Sequence, residues 1–201
     1  MDVQTLPRMI DGPAPAALRA IQRPECQLAV WRREPPFAIG EWLAGKPGDV
    51  RLTTALPDLA RRVDGALGEA GFAGGAPRQA LVDDVTDLAE HFAALAGTRA
   101  VEVRLSVVET NSCRKFHADW VTMRLITTYT GAGTQWVTPA DAERIAAGQE
   151  PLAIRALAPG DVGIFRGRLA AGRPAVHRSP PIAGTGMRRL LLVIDPAGEA
   201  D

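Results

Sequence analysis

The chain is poor in cysteine: Cys26 and Cys113 are the only two among 201 residues. Their number and spacing exclude a disulfide scaffold and a four-cysteine zinc site, and they suit a reducing cytosol. Excess charge of either sign is missing too, since 23 Lys and Arg residues balance 23 Asp and Glu. No overall field recruits nucleic acid or an anionic membrane, which leaves local basic clusters as the route to an anion. The longest strongly aliphatic stretch, Leu190 to Ile194, is far too short to span a bilayer. The opening residues lack the basic start and apolar run of a secretory signal, so the expectation is a soluble, cytoplasmic protein. There is no Gly-x-x-x-x-Gly-Lys-Ser/Thr loop. Gly131-Ala132-Gly133 falls between strands, with no helix N-terminus to hold a phosphate.

Apolar residues make up 46% of the chain, enough at this length for one sizeable core. Residues 1–24 carry Pro7, Pro13, Pro15 and Pro24 with little periodicity, which predicts a flexible N-terminal segment ahead of a single domain over 25–201. Within that domain, 25–98 reads as a mainly helical support layer and 99–197 as a β-rich core. Cys26 to Trp31 has strand composition, and one or two helical turns are expected over 37–43. Leu59, Val63, Leu67 and Ala70 fall at helical spacing, and a second helix over 78–96 is predicted by Leu81, Val85, Leu88, Phe92 and Leu95. The period then changes to two: Val101, Val103, Leu105 and Val107 alternate with Glu102, Arg104 and Ser106. Further strands are expected over 121–129, 134–138, 152–157, 162–166, 174–178 and 188–195, with a short helix inserted at 139–147. Helices first and many short strands afterwards predict an α+β protein. The favoured architecture is a double-stranded β-helix (jelly-roll, cupin-like) core carrying an N-terminal helical layer.

The stretch Cys113-Arg114-Lys115-Phe116-His117-Ala118-Asp119-Trp120 carries the densest chemistry. On an extended backbone residues i and i+2 share a face, so the His117 imidazole and the Asp119 carboxylate can reach one ion. His177, on a later strand, can supply the third vertex of a two-histidine, one-carboxylate site with open positions. The same pair is also compatible with a half-buried histidine satisfied by Asp119 alone, without a metal. After His177 a proline bend and a Gly-Thr-Gly turn lead to Arg188, which opens an aliphatic strand and can meet a carboxylate with two parallel hydrogen bonds. Arg189 points to the other side of that strand, so only one of the two can face the interior; Arg188, two residues after the glycine turn, is preferred, with Arg189 on a solvated edge, and the sequence leaves the choice of face open. His91 in mid-helix reads as structural, the carboxylates Asp83, Asp84 and Asp87 as surface groups, and Arg114 and Lys115 as a solvated turn able to attract an acidic ligand.

The order Phe-His-x-Asp, a strand with Arg124 and Tyr129, Gly-x-Gly-Thr-x-Trp, Pro-Gly-Asp-x-x-x-Phe, His177 and Gly-x-Arg before a last apolar strand resembles the core of the 2-oxoglutarate and Fe(II)-dependent oxygenases. The resemblance covers about residues 100 to 195. It implies His117, Asp119 and His177 as the catalytic iron ligands and Arg188 as partner of the distal carboxylate of 2-oxoglutarate. It also implies that Tyr129 and Arg124 belong to the strand that contacts cosubstrate or substrate. The mouth of such a barrel would be shaped by Trp120, Trp136, the 139–151 insertion and the N-terminal helical layer. Fe(II) and 2-oxoglutarate are then the cofactors, and the substrate is a small molecule or a protein. The whole chain also resembles an uncharacterised bacterial domain family marked by Cys-Arg-x-Phe-His-x-Asp and Thr-Tyr-x-Gly-x-Gly-Thr-x-Trp, whose members are associated with zinc homeostasis. Under that alternative, Cys113, His117, Asp119 and His177 would close a four-coordinate, non-catalytic Zn(II) site, because a thiolate favours zinc. Cys113 reads equally as a small buried apolar side chain. A third reading is a cupin-like barrel that binds a small molecule without catalysis.

Overall fold

The computed structural model of the protein describes residues 8–36, 43 and 45–199. It is a mixed α+β structure with two sheets. The larger has seven strands in the order β1-β2-β8-β5-β10-β4-β3, and the smaller has three in the order β7-β6-β9. The strands of the large sheet are β1 (Arg8–Gly12), β2 (Cys26–Trp31), β3 (Val50–Ala55), β4 (Ala100–Val108), β5 (Met123–Thr130), β8 (Val162–Arg166) and β10 (Arg189–Pro196). The small sheet consists of β6 (Gln135–Trp136), β7 (Arg155–Ala156) and β9 (His177–Arg178).

Two helices cover one face of the large sheet. In α1 (Leu59–Glu69) the buried residues are Leu59, Val63 and Leu67, a stripe at helical spacing. The longer α2 (Ala76–Ala96) carries Pro77 in its first turn, stops at Gly97 in the left-handed conformation (φ 68°), and buries Leu81, Val85, Leu88 and Phe92. Each such side chain contributes about 1.5–3 kcal/mol on burial, so this stripe rather than intrinsic propensity holds α2 against the sheet. The sheet answers with Val101, Val103 and Leu105 of β4, Leu125 of β5 and Leu190, Leu192 and Ile194 of β10, all in the same apolar cluster. The third helix, α3 (Pro139–Ala146), is capped by Thr138, whose hydroxyl accepts from the Asp141 backbone N–H.

The opposite face of the large sheet packs against the small one. A second apolar cluster lies there, built from Leu28, Val30, Ile126, Leu157, Phe165 and Ala175 with Trp136, Leu191 and Val193 packed against it. The period of two therefore divides β5 and β10 between two jobs. Leu125, Leu190, Leu192 and Ile194 serve the helical core, while Ile126, Leu191 and Val193 face the small sheet.

Residues 8–24 correct the expectation of a flexible segment. Arg8–Gly12 pairs in parallel with β2, and Pro15–Gln22 forms a 3-10 helix that buries Leu18 and Ile21. The prolines favour its tight turns, and Arg166 secures it from below by donating to the carbonyls of Ile21, Arg23 and Cys26. The support layer of 25–98 likewise contributes strands β2 and β3 to the large sheet as well as its helices. The turns expected over 37–43 lie outside the described residues except for Leu43.

Candidate metal centre

His117 and His177 are brought together by the backbone. Each donates its N–H to the carbonyl of the other, at 3.0 and 2.9 Å, which extends the small sheet by one bridge beside β9. Paired residues of an antiparallel ladder project to one side, and the two rings lie 4.8 Å apart. Asp119, two residues beyond His117, emerges on the same side. Gly167 lets this segment approach the end of β8: a Cβ there would sit 1.9 Å from the Val121 carbonyl. Arg168 then holds the loop by donating to the Ala118 carbonyl.

Among the described residues, His117, Asp119 and His177 form the one group of three or more His, Cys, Asp or Glu side chains able to hold a metal, with ligand atoms all within 4.8 Å of one another. Each imidazole turns its Nδ1 to a carbonyl two residues back, 2.8 Å from Lys115 for His117 and 3.2 Å from Ala175 for His177. A carbonyl only accepts, so it selects the Nδ1–H tautomer and leaves the Nε2 lone pair pointing inward. These two nitrogens face Asp119, at 3.6 Å from Oδ1 for His117 and 3.2 Å from Oδ2 for His177. In that tautomer neither is a donor. Asp119 Oδ2 is buried and has no hydrogen-bond partner. Three lone pairs converging on one buried point is an arrangement that a cation resolves, so the donor set fits a divalent metal with open positions.

The charges around the site follow the same logic. Burial pushes the Asp119 carboxyl up, but His117, His177 and Arg124 outweigh it and hold the group well below the usual carboxylate range. The His117 imidazole is raised above its ordinary value, chiefly by the neighbouring Asp119 carboxylate, with burial opposing. Behind the ligands, Arg124 donates to Asp119 Oδ1 at 2.5 Å and meets Asp195 with a fork of 2.6 and 2.9 Å. The His177 ring rests against Phe165, with centroids 4.7 Å apart.

A cavity of about 450 Å³ opens over the triad. His117, His177, Arg124, Ile126, Ser179, Leu191 and Val193 line it, and Asp49, Glu109, Thr110, Ser112 and Cys113 lie toward its rim. Arg189 lies on the same face of β10 as Leu191 and Val193. It is fully buried, and it donates to the Ala132 carbonyl (2.6 Å), Ser179 Oγ (3.1 Å) and Thr128 Oγ1 (3.4 Å). None of these acceptors is a carboxylate. Burial pushes the Arg189 guanidinium down to about 10. Gly131 makes room for it, since a Cβ there would meet the Arg189 Cγ at 2.8 Å.

Four expected assignments are corrected. Arg188 donates to the Leu43 carbonyl at 2.8 Å and pairs with Glu109 at the cavity's rim, while Arg189 is the arginine buried in the interior. Strand parity is the reason: the site face of β10 carries 189, 191, 193 and 195. Tyr129 lies on the helix side of β5, five positions and hence the opposite parity from Arg124. Its hydroxyl donates to Asp84 Oδ2 at 2.7 Å. Asp84 is accordingly a buried group held by Tyr129 and Arg33 rather than a surface carboxylate. Cys113 is exposed, adopts φ 51°, and is not one of the convergent ligands, although it lines the cavity. Arg124 does reach the site, where its identified partners are the carboxylates of Asp119 and Asp195. Neither Trp120 nor Trp136 is among the cavity's lining residues. Asp195, Ser179 and Thr128 belong to no local motif, yet the first has a signal in the sequence: in an aliphatic strand, charged residues at 189 and 195 share the parity of one face.

Residues 12–195 match the sequence profile of a family described as "Protein of unknown function (DUF1826)". No curated protein matches the chain. The structure is similar to that of a full-length Neurospora crassa protein crystallised in complex with alpha-KG, at a TM-score of 0.46 and 11% identity over 98% of this chain and 86% of that one. It is also similar to a putative oxygenase from Shewanella oneidensis (TM-score 0.48, 10% identity, 94% and 89% covered) and to a Pseudomonas putida prolyl-4-hydroxylase (0.48, 11%, 92% and 100%). No helix among the described residues is long and apolar enough to cross a membrane.

Proposed function

This chain belongs to the DUF1826 family, and we propose that it is a metal-dependent oxygenase of the 2-oxoglutarate and Fe(II) type. The observation that carries the reading is the convergence of two imidazole Nε2 atoms and the orphaned Asp119 Oδ2 beneath a cavity. The two sheets are then the major and minor sheets of a double-stranded β-helix, β8-β5-β10-β4 facing β7-β6-β9 and the His117 bridge, with β1, β2 and β3 added at the edges. His117, Asp119 and His177 would hold the metal, a set that leaves coordination positions for other ligands. When bound, Fe(II) with 2-oxoglutarate supplies oxidation by dioxygen coupled to decarboxylation of the keto acid.

The chain's own residues provide binding, orientation and exclusion of water. Arg189, buried with only neutral acceptors, offers its guanidinium to the distal carboxylate of the cosubstrate, with Ser179 and Thr128 beside it. Ile126, Leu191 and Val193 form an apolar wall between that anchor and the triad, keeping water from the reacting end. The Nδ1 bonds to Lys115 and Ala175 fix both imidazole planes, so the ligands do not reorganise on binding. Conversion of 2-oxoglutarate to succinate that requires added Fe(II) and disappears in His117→Ala tests the proposal. Absence of turnover, together with absence of 2-oxoglutarate binding under anaerobic Fe(II), refutes it. The zinc-storage alternative needs Cys113 as a fourth ligand, and the convergent group contains three residues without it.

A further inference from the structure

Beside the triad lies a chain of buried and half-buried charges that the oxygenase reading does not use. Asp195 is fully buried at the end of β10, one residue beyond the Ile194–Leu125 pair, so its side chain leaves the sheet on the same face as Arg124. It accepts two hydrogen bonds from Arg124 and one, at 2.5 Å, from Arg104. Arg104 in turn lies 3.5 Å from Glu102. Buried ion pairs seldom raise stability above that of an apolar replacement, because desolvation of both charges offsets their attraction. This cluster therefore needs another explanation, and its geometry supplies one. The fork between Arg124 and Asp195 fixes the guanidinium plane, and the remaining Nη1 then falls on Asp119 Oδ1. One oxygen of the carboxylate is thereby occupied while the other, Oδ2, is left without a hydrogen bond and faces the His177 imidazole.

We propose that Asp195 and Arg124 are positioning residues that hold Asp119 as a one-oxygen metal ligand, with Asp195 also cancelling the positive charge that Arg124 and Arg104 would otherwise set beside the cation. The inference rests on the metal-centre reading. Without Asp195, Arg124 loses its orientation, the guanidinium charges of Arg124 and Arg104 lose the carboxylate they share near the site, and Asp119 is free to turn both oxygens inward. Each change weakens binding or alters the coordination of a divalent ion.

The test uses Co(II) alone as probe, added to the full metal-free chain and followed by titration and by the visible absorption of the bound ion. Asp195→Asn and Arg124→Lys, which keep volume or charge but lose the fork, are expected to weaken Co(II) binding about 10–100-fold, the range usual for lost partners of metal ligands. Their spectra shift as the carboxylate changes its mode of binding. Asp84→Asn serves as control, since it breaks a buried pair on the helix side of the sheet. It is expected to lower the melting temperature with Co(II) affinity and spectrum unchanged. Wild-type affinity and spectrum in Asp195→Asn overturn the proposal, and if that variant does not fold, the same result in Arg124→Lys does so. Loss of affinity only in proportion to loss of fold overturns it as well. A wild-type chain that takes up no Co(II) overturns the metal-centre reading along with it.

Discussion

Replacing Arg189 by methionine removes a guanidinium buried beside the cavity whose hydrogen-bond partners are all neutral, and it separates the two arginines that the sequence leaves undecided. Burial lowers the guanidinium from its usual range to about 10. A shift of that size corresponds to roughly 3 kcal/mol of disfavour toward the charged form. A dicarboxylate that pairs with Arg189 relieves much of this, so Arg189→Met should weaken 2-oxoglutarate binding about 100-fold, a difference of about 2.7 kcal/mol. Arg189→Lys keeps the charge but not the fork and should lose about 10-fold. Arg188→Met should change affinity less than about threefold, because that side chain is held by the Leu43 carbonyl and by Glu109 at the rim and does not reach the buried face of β10. Thermal melting with Co(II) and 2-oxoglutarate gives a direct assay. A ligand at 100 times its Kd stabilises the folded chain by about 2.7 kcal/mol. For a protein of this size that raises the melting temperature by about 5–10 °C. The shift should persist in Arg188→Met and fall to about 1 °C in Arg189→Met at the same ligand concentration. A shift retained in Arg189→Met refutes the assignment, and a shift lost in Arg188→Met would show that the parity argument fails.

Tyr129→Phe removes a buried hydrogen bond to Asp84 on the far side of the sheet, so it should lower stability by about 1.5–3 kcal/mol while 2-oxoglutarate affinity stays within about twofold, read by denaturant unfolding and by calorimetry. Cys113→Ser should leave zinc and cobalt affinity unchanged, and a loss of tenfold or more would restore the thiol as a ligand. Metal affinity should rise with pH between 6 and 8. The His117 value is raised in the metal-free fold, so the stability it contributes is complete below 6.5 and is lost as pH rises through the folded value, and a metal must displace that proton to bind. Equal affinity at pH 6 and pH 8 would contradict this. Gly133→Ala should prevent folding or lower stability by several kcal/mol, because its Cβ would lie 1.9 Å from the Leu157 carbonyl; a melting temperature like that of the wild type would refute the packing.

Local rules explain which features are legible in the sequence. The helices α1 and α2 and the strand β4 announce themselves by period, since each buries one face and the apolar residues must recur accordingly. His117 and Asp119 are readable as a pair because two residues apart on extended backbone is a local relation. His177 can be named but not placed, since the bridge that seats it joins residues sixty positions apart. In the N-terminal segment proline content predicts mobility, and non-local contacts override it. Its order comes from the parallel pairing with β2 and the Arg166 side chain beneath it. The choice between Arg188 and Arg189 turns on which face of β10 meets the helices. Leu190, Leu192 and Ile194 settle it once the helical layer is known to lie on their side. The charges at 189 and 195 are then assigned together to the other face.

That shared face ties the metal centre to the fold. β10 contributes Arg189 near one end, Asp195 at the other and the apolar pair Leu191 and Val193 between them, all on the side toward the small sheet. Because it lies between β5 and β4, with both edges hydrogen-bonded, its register cannot slip by one residue without turning the whole apolar set Leu190, Leu192 and Ile194 away from the helices. The burial of that set therefore also fixes the distance between the anion anchor and the support beneath Asp119. Two charged groups that would each be unfavourable alone in the interior are held in place by aliphatic residues packed on the reverse of the same strand.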